Sequence, residues 1–421
     1  MAWALPILLM WEPADARAST ISASSVSAPS SIEQLVAEAM RSNPEIAAAR
    51  SHFVASTKAP IQAGTLENPQ ISLQEFTVGS PAPASGYETS DFYYTGFGLS
   101  QDIPGPGKLR LRSKRAEKES KLARAEVELV ERRVAQRVRE TAADLFYLTR
   151  AREILQRTRG DLIAVARAAE QQYRAGTANQ QDVLKADLAA TSILKDLETN
   201  RADTSAAEAV LKAMLGREQD SPDIEIGEIA PTAMEIDPAR LGERAEESSA
   251  ELRMARAMVE GSADALELAR GDYWPDFTVG YQYLKTGPGF RDYYMLTVGA
   301  KIPLYFWRKQ TPAVEQAAAE KAAAENRLRS ARLETVSDLR SDAAAARAQE
   351  KVISLYRQAL IPQAEATLES ARAAYRAGKV DFQTLLSAET DLLNLRQGYF
   401  RAIADHEKAI ARIRQIVGDP S

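Results

Sequence analysis

Two hydrophobic periods share this chain. Over most of its length apolar residues recur at helical spacing, as Val127, Val130, Val134, Val138 and Leu145 do. In a few short stretches the period drops to two. Phe97, Leu99, Gln101 and Ile103 alternate with Gly96, Gly98, Ser100 and Asp102. Phe277, Val279, Tyr281 and Tyr283 alternate with Thr278, Gly280 and Gln282, and Leu296, Val298, Ala300 and Ile302 with Met295, Thr297, Gly299 and Lys301. With a less regular segment, these predict four strands, at about 69–78, 92–104, 275–284 and 293–304. The helical stretches predict first helices over about 31–64 and 237–270. Two very long helices follow, over 109–175 and 310–377, and return helices over 180–215 and 382–417. Ala, Glu, Arg and Leu, all strong helix formers, dominate the long pair.

The order of elements is the same in both halves because the chain is a duplication. Tyr173-Arg174-Ala175-Gly176 recurs as Tyr375-Arg376-Ala377-Gly378. Asn68-Pro69 matches Trp274-Pro275, Ile103-Pro104 matches Ile302-Pro303, and Leu215-Gly216 matches Val417-Gly418, in the same order. The first repeat covers 31–216 and the second 237–418, with a linker over 217–236. Gly176 and Gly378 stand where each long helix must turn, and glycine admits the left-handed backbone of such a turn. A helix of about 67 residues spans on the order of 100 Å. In each half the first and return helices, stacked end to end, reach the same length.

The strands carry apolar residues on one face and small or polar residues on the other, which suits a wall between lipid and water. Aromatics stand at their ends: Phe92, Tyr93 and Tyr94 at one side, Tyr273, Trp274, Tyr305, Phe306 and Trp307 at the other. Interfacial girdles are built this way. A sheet in lipid must close, and four strands are too few. Two copies would give a barrel filled by its own side chains; three would leave a passage.

Composition narrows the chemistry. The chain has 421 residues and a formal net charge of −5, which disfavours a nucleic-acid partner. It has no cysteine, so disulfides and thiolate metal sites are excluded. Its two histidines, His52 and His406, lie far apart and read as solvated helix residues, not metal ligands. No cofactor motif, phosphate-binding glycine loop or Gly-x-Ser-x-Gly elbow occurs, so no enzyme is expected. The apolar run Ala2 to Trp11, followed by Ala-x-Ala at 14–16 and 16–18, reads as a secretory signal over 1–18, with a flexible lead-in over 19–30.

With these features the sequence resembles the outer-membrane efflux proteins, the TolC family, over nearly its whole mature length. The paired Tyr-Arg-Ala-Gly turns carry the resemblance, and the Gly107-Lys108 start of the first long helix adds to it. The strand-to-helix transition is similar to the heavy-metal branch. The resemblance implies a mainly α chain with a membrane β-barrel portion: a homotrimer with a twelve-stranded barrel continued by a twelve-helix periplasmic tunnel. It implies outer-membrane lipid, a periplasmic adaptor and an inner-membrane pump as partners, and passive exit of what the pump delivers. Tyr173, Arg174, Gly176, Thr177, Tyr375, Arg376, Gly378 and Lys379 would then form adaptor-docking tips. Asp182, Asp381, Thr384 and Ser387 would be candidates for a pore constriction, although Thr384 and Ser387 stand where some members carry acids. The bland reading of Asp182 is a first-turn carboxylate favoured by the helix dipole. The alternative function is a periplasmic helical-hairpin scaffold or adaptor, which the duplicated hairpin with paired amphipathic strands disfavours. Pro362 and the equivalent Gly160 predict a bend in both long helices, about four turns before the tips.

Overall fold

The computed structural model describes residues 30–76, 93–176, 179–234, 237–287 and 289–418. The signal-like segment, most of the lead-in, Phe92 and Thr177 lie outside them. The first half runs α1 (Ile32–Ser42), α2 (Pro44–Ser56), α3 (Ala59–Gly64), β1 (Gln70–Phe76), β2 (Tyr94–Ile103), α4 (Lys108–Arg174) and α5 (Gln180–Met214). The second half runs α6 (Pro238–Ser248), α7 (Ala250–Gly271), β3 (Asp276–Thr286), β4 (Tyr293–Lys301), α8 (Gln310–Leu355), a π-helical turn Tyr356–Leu360, α9 (Ile361–Arg376) and α10 (Phe382–Val417).

The first helix of each half is broken, not continuous. Asn43 leaves the helical backbone and caps α2, its Oδ1 accepting from the Ile46 amide at 3.1 Å. Pro44, with no amide to lose, takes the first helical position. In the second half Ser249 does the same, accepting from the Leu252 amide at 3.3 Å. The breaks fall where the return helices end. Ser42 Oγ donates to the Leu215 carbonyl at 2.6 Å and Asn43 Nδ2 to that of Met214 at 2.8 Å. Ser248 Oγ likewise donates to the Val417 carbonyl at 2.8 Å. Carbonyls that a helix end leaves orphaned are thus satisfied by the next helix in the stack. In this way α5 followed by α2 and α3 packs along α4, and α10 followed by α7 packs along the second long helix. The close approach also fixes Gly216, whose φ is 66° and where a Cβ would sit 2.6 Å from the Ser42 carbonyl oxygen.

The main core lies at this mid-level. Leu35, Val36 and Ala39 of α1 pack on Val134, Val138 and Leu145 of α4, with Leu211 of α5 and Ile224 of the linker. In the second half Leu241 and Ala245 of α6 meet Leu339 and Ala343 of α8 and Ile410 and Ile413 of α10. His406 is buried here, at 2% exposure, with Nδ1 3.1 Å from Glu407 Oε1; the expectation of a solvated histidine holds for His52 only. Glu407 also accepts from the Thr232 amide and hydroxyl at 2.7 and 2.8 Å, which ties the linker to α10.

The two long helices differ at the expected irregularity. At Pro362 the ladder changes to a π turn, in which the Ile361 amide reaches the Tyr356 carbonyl five residues back. The extra residue relieves the clash a proline ring imposes on the preceding turn. At Gly160 the helix runs through as ordinary α-helix. Glycine removes no donor, so a packed helix tolerates it.

The four strands form one antiparallel sheet in the order β1-β2-β3-β4. Ile71, Leu99, Tyr281 and Leu296 lie in one cross-strand row, and Ser72, Gly98, Gln282 and Met295 in the next.

Candidate functional site

The register sorts the sheet into two faces. One carries Ile71, Leu73, Phe97, Leu99, Val279, Leu296 and Val298, all large, apolar and more than a third exposed. The opposite face carries Ser72, Ser100, Thr278, Gln282 and Thr297 with Gly98, Gly280 and Gly299. A soluble sheet buries its apolar face, whereas this one presents it outward. Among the described residues, neither β1 nor β4 pairs on its outer edge.

At the helix end, the polar face ends in charges. Lys301 Nζ lies 2.8 Å from Asp102 Oδ2. Lys108, the first residue of α4, is buried, with its Nζ 2.8 Å from Asp276 and 3.5 Å from Asp272. The Gly105 amide donates to the same Asp276 oxygen at 2.7 Å. Two repeats are thereby stitched together where sheet becomes helix. The aromatics expected at this level are exposed: Trp274, Phe306 and Trp307 by about half or more, and Tyr273 by 40%, its hydroxyl 2.9 Å from Thr311 Oγ1. Tyr93 sits at the other end, where its carbonyl accepts from the Gly287 amide at 3.1 Å.

The far end of the helices is formed by the two repeated turns. Gly176 and Gly378 have φ of 75° and 67°, and their amides donate to the carbonyls of Tyr173 and Tyr375 at 2.9 and 3.0 Å. Lys379 closes the second turn, its amide donating to the Ala374 carbonyl at 2.9 Å. That left-handed closure is what selects glycine here. The tips nonetheless differ. Tyr173 is 45% exposed, but Tyr375 is 8% exposed and meets the Phe382 ring edge-on at 5.8 Å. Phe382 stands where the first repeat has Gln180, so only the second tip has a ring to bury its tyrosine. Burial pushes the Tyr375 phenol above its ordinary pKa, and the Asp182 carboxylate adds to the shift. Arg174 pairs with Glu170 at 2.6 Å, within its own helix. Asp381 caps α10, accepting from the Thr384 amide and hydroxyl at 3.0 and 2.5 Å. Those bonds hold its carboxyl below the usual range. Asp381 and Thr384 thus spend their polar groups on the cap; Ser387 is exposed and Asp182 half-buried.

Sequence reasoning missed a bridge between the hairpins. Arg372 of α9 donates through Nε to Glu389 of α10 at 3.1 Å, and through the guanidinium lies 3.1 Å from Glu369 and 3.4 Å from Asp161 of α4. Glu389 is 4% exposed, and burial raises its pKa despite the arginine. The available signal was a difference between repeats: Glu170 and Asp187 of the first occupy the positions of Arg372 and Glu389.

The model of the outer membrane efflux protein family matches the chain twice, over residues 35–217 and 241–419. No curated protein sequence matches. Among solved structures, the outer membrane protein VceC from Vibrio cholerae is 19% identical, with 92% of this chain and 96% of that one covered at a TM-score of 0.77. CusC, described in terms of transmembrane channel formation, is 14% identical, with 92% of each chain covered at 0.79. The Campylobacter jejuni outer membrane channel CmeC is 14% identical, with 92% and 85% covered at 0.79.

Proposed function

Because the chain belongs to the outer membrane efflux protein family, and is an outer-membrane efflux channel with a periplasmic helical part, we propose that three copies close into one duct. The carrying observation is the sheet: an outward apolar face, a polar opposite face and two edges that are unpaired among the described residues. Exposed edges in lipid must be paired, and pairing β1 of one copy with β4 of the next achieves this. Three chains would give twelve strands around a water-filled passage, continued by the paired hairpins as a tunnel. Substrate would pass without chemistry, delivered by an inner-membrane pump through a periplasmic adaptor. The tips, with Arg174, Arg376 and Lys379 at helix ends, are the surface we assign to that adaptor, and Asp182 and Asp381 border the opening. The strand pairs of the two repeats form the membrane domain, and the linker with α1 and α6 forms a belt around the tunnel.

Closure can be tested directly, because the natural chain has no cysteine. One cysteine placed in β1 and one in β4 stand three strand spacings apart within a copy, about 14 Å, beyond the reach of a disulfide. Oxidation of a panel of such pairs in membranes should give covalent trimers on denaturing gels. Monomers across the whole panel, from protein shown to be inserted, would refute the closed trimer. The scaffold or adaptor reading has nothing to cover the apolar sheet face.

A further inference from the structure

The polar face of the sheet is not polar to its end. Residues of one parity along each strand share that face, and at the loop end these are Phe76, Tyr94, Leu284 and Tyr293. They follow Ser72, Gly98 and Gln282 without a change of register, so they belong to the water side and not to the lipid side. The rings contact one another across the sheet. Phe76 and Tyr94 stack at 5.4 Å with planes 10° apart, and Tyr94 meets Tyr293 edge-on at 6.3 Å. Leu284 lies beneath them, 1% exposed, against Gly96, where a Cβ would stand 3.5 Å from its Cδ2. Tyr94 had read as part of an outer girdle; the register places it inside.

We propose that these rings form an apolar collar inside the outer mouth, a weak binding station for planar aromatic solutes leaving the duct. The proposal rests on the closed trimer described above. Twelve strands at ordinary spacing and tilt enclose a backbone diameter of about 24 Å, and rings projecting from all sides narrow it to roughly 10 Å. At that width a fused-ring molecule passes with its faces against the collar. Aromatic faces attract planar and cationic guests more than hydrated inorganic ions. The inner face therefore changes along its length, from the Asp102–Lys301 pair at the helix end, through small and hydroxyl side chains, to aromatic rings at the exit. A solute that has just left water-lined walls meets an apolar surface only toward the loop end, at Met295 and then at the rings. The attraction must be weak for release to follow, and a few stacked contacts supply that.

The test uses the full-length trimer reconstituted in planar bilayers, with ethidium as the planar aromatic cation and tetrabutylammonium as a non-aromatic control. Added on the loop side, ethidium should halve the ion current at a concentration about ten-fold below the control, as expected for one or two ring stacks. Tyr94→Leu with Tyr293→Leu should abolish the difference, while Tyr94→Phe with Tyr293→Phe should keep it, since the ring and not the hydroxyl binds. Equal block by both cations, or block unchanged in the Leu variant, would overturn the collar and leave the channel reading intact. Should the Leu variant fail to insert, equal ethidium block in wild type and in Phe76→Leu with Tyr293→Leu decides against it. Inserted protein that the β1–β4 cysteine panel shows to be monomeric overturns the closed trimer, and the collar with it.

Discussion

Replacing Arg372 by methionine should loosen the second tip and leave the rest of the molecule unchanged. The side chain joins Glu389 and Glu369 of its own hairpin to Asp161 of the other. Removing it strands Glu389, which is 4% exposed. Breaking a fully buried pair costs about 3–5 kcal/mol, and an exposed one at most about 1. Arg372 is one-third solvated, so we expect about 2 kcal/mol. A membrane channel does not unfold reversibly, so the quantity to measure is local opening by amide hydrogen exchange. Exchange along α9 and the start of α10 should accelerate roughly thirty-fold, with α4 below Gly160 and the sheet unaltered. Burial already holds Glu389 above its ordinary pKa. In the variant its charge becomes a pure cost, present above the folded pKa and removed as pH falls through it, so acidification should slow the exchange again. Glu389→Leu in the same chain should recover most of the loss, because no buried charge is left unpaired. Exchange in Arg372→Met no faster than in Glu369→Ala, which removes only an exposed arm of the bridge, would refute the reasoning.

Asn43→Ala should cost about 2–4 kcal/mol, since it removes both an N-cap and the partner of the Met214 carbonyl, whereas Ser249→Ala should cost about 1 kcal/mol for its cap alone; exchange at the α5 and α10 ends measures both. Glu38 is held below the usual carboxylate range chiefly by its hydrogen bonds from Arg217, both 2.7 Å long. Its stabilising share is full above the ordinary carboxylate range and lost as pH falls through the lowered value, so Glu38→Gln should flatten the acid limb of thermal stability. Gly176→Val or Gly378→Val should abolish export while trimers still assemble: a β-branched residue strains the left-handed turn, and the sheet lies on the order of 100 Å away. Normal export by such a variant would remove the tips from the docking surface. Lys108→Met should leave Asp272 and Asp276 without their shared cation and lower the melting temperature of the channel, while Arg115→Met, which loses only an exposed partner in Glu119, should change it little.

The sequence by itself determined the kind and order of the elements, because period and turn chemistry are local. The repeat of Tyr-Arg-Ala-Gly located both helix reversals, and the alternation in Phe97 to Ile103 separated two faces before any pairing was known. Even the helix breaks left a trace in Asn43-Pro44 and Ser249, but a cap residue is used only if the chain gains from leaving the helix there. That gain comes from the ends of α5 and α10, which tertiary packing brings to Ser42 and Ser248. His406 could not be read as buried, since its exposure is set by how α10 packs and not by the residues beside it in sequence. The π turn at Pro362 and the unbroken helix at Gly160 show the same limit: both residues weaken a helix, and the packing around each decides whether it yields. Arg372 found one of its partners, Asp161, in the neighbouring hairpin, and the proposed collar gathers Phe76, Tyr94 and Tyr293 from both repeats. Such groupings depend on which row of one strand faces which row of the next and on which hairpins are neighbours. Those are properties of the folded arrangement, set by burial and pairing across long separations, and no local pattern encodes them.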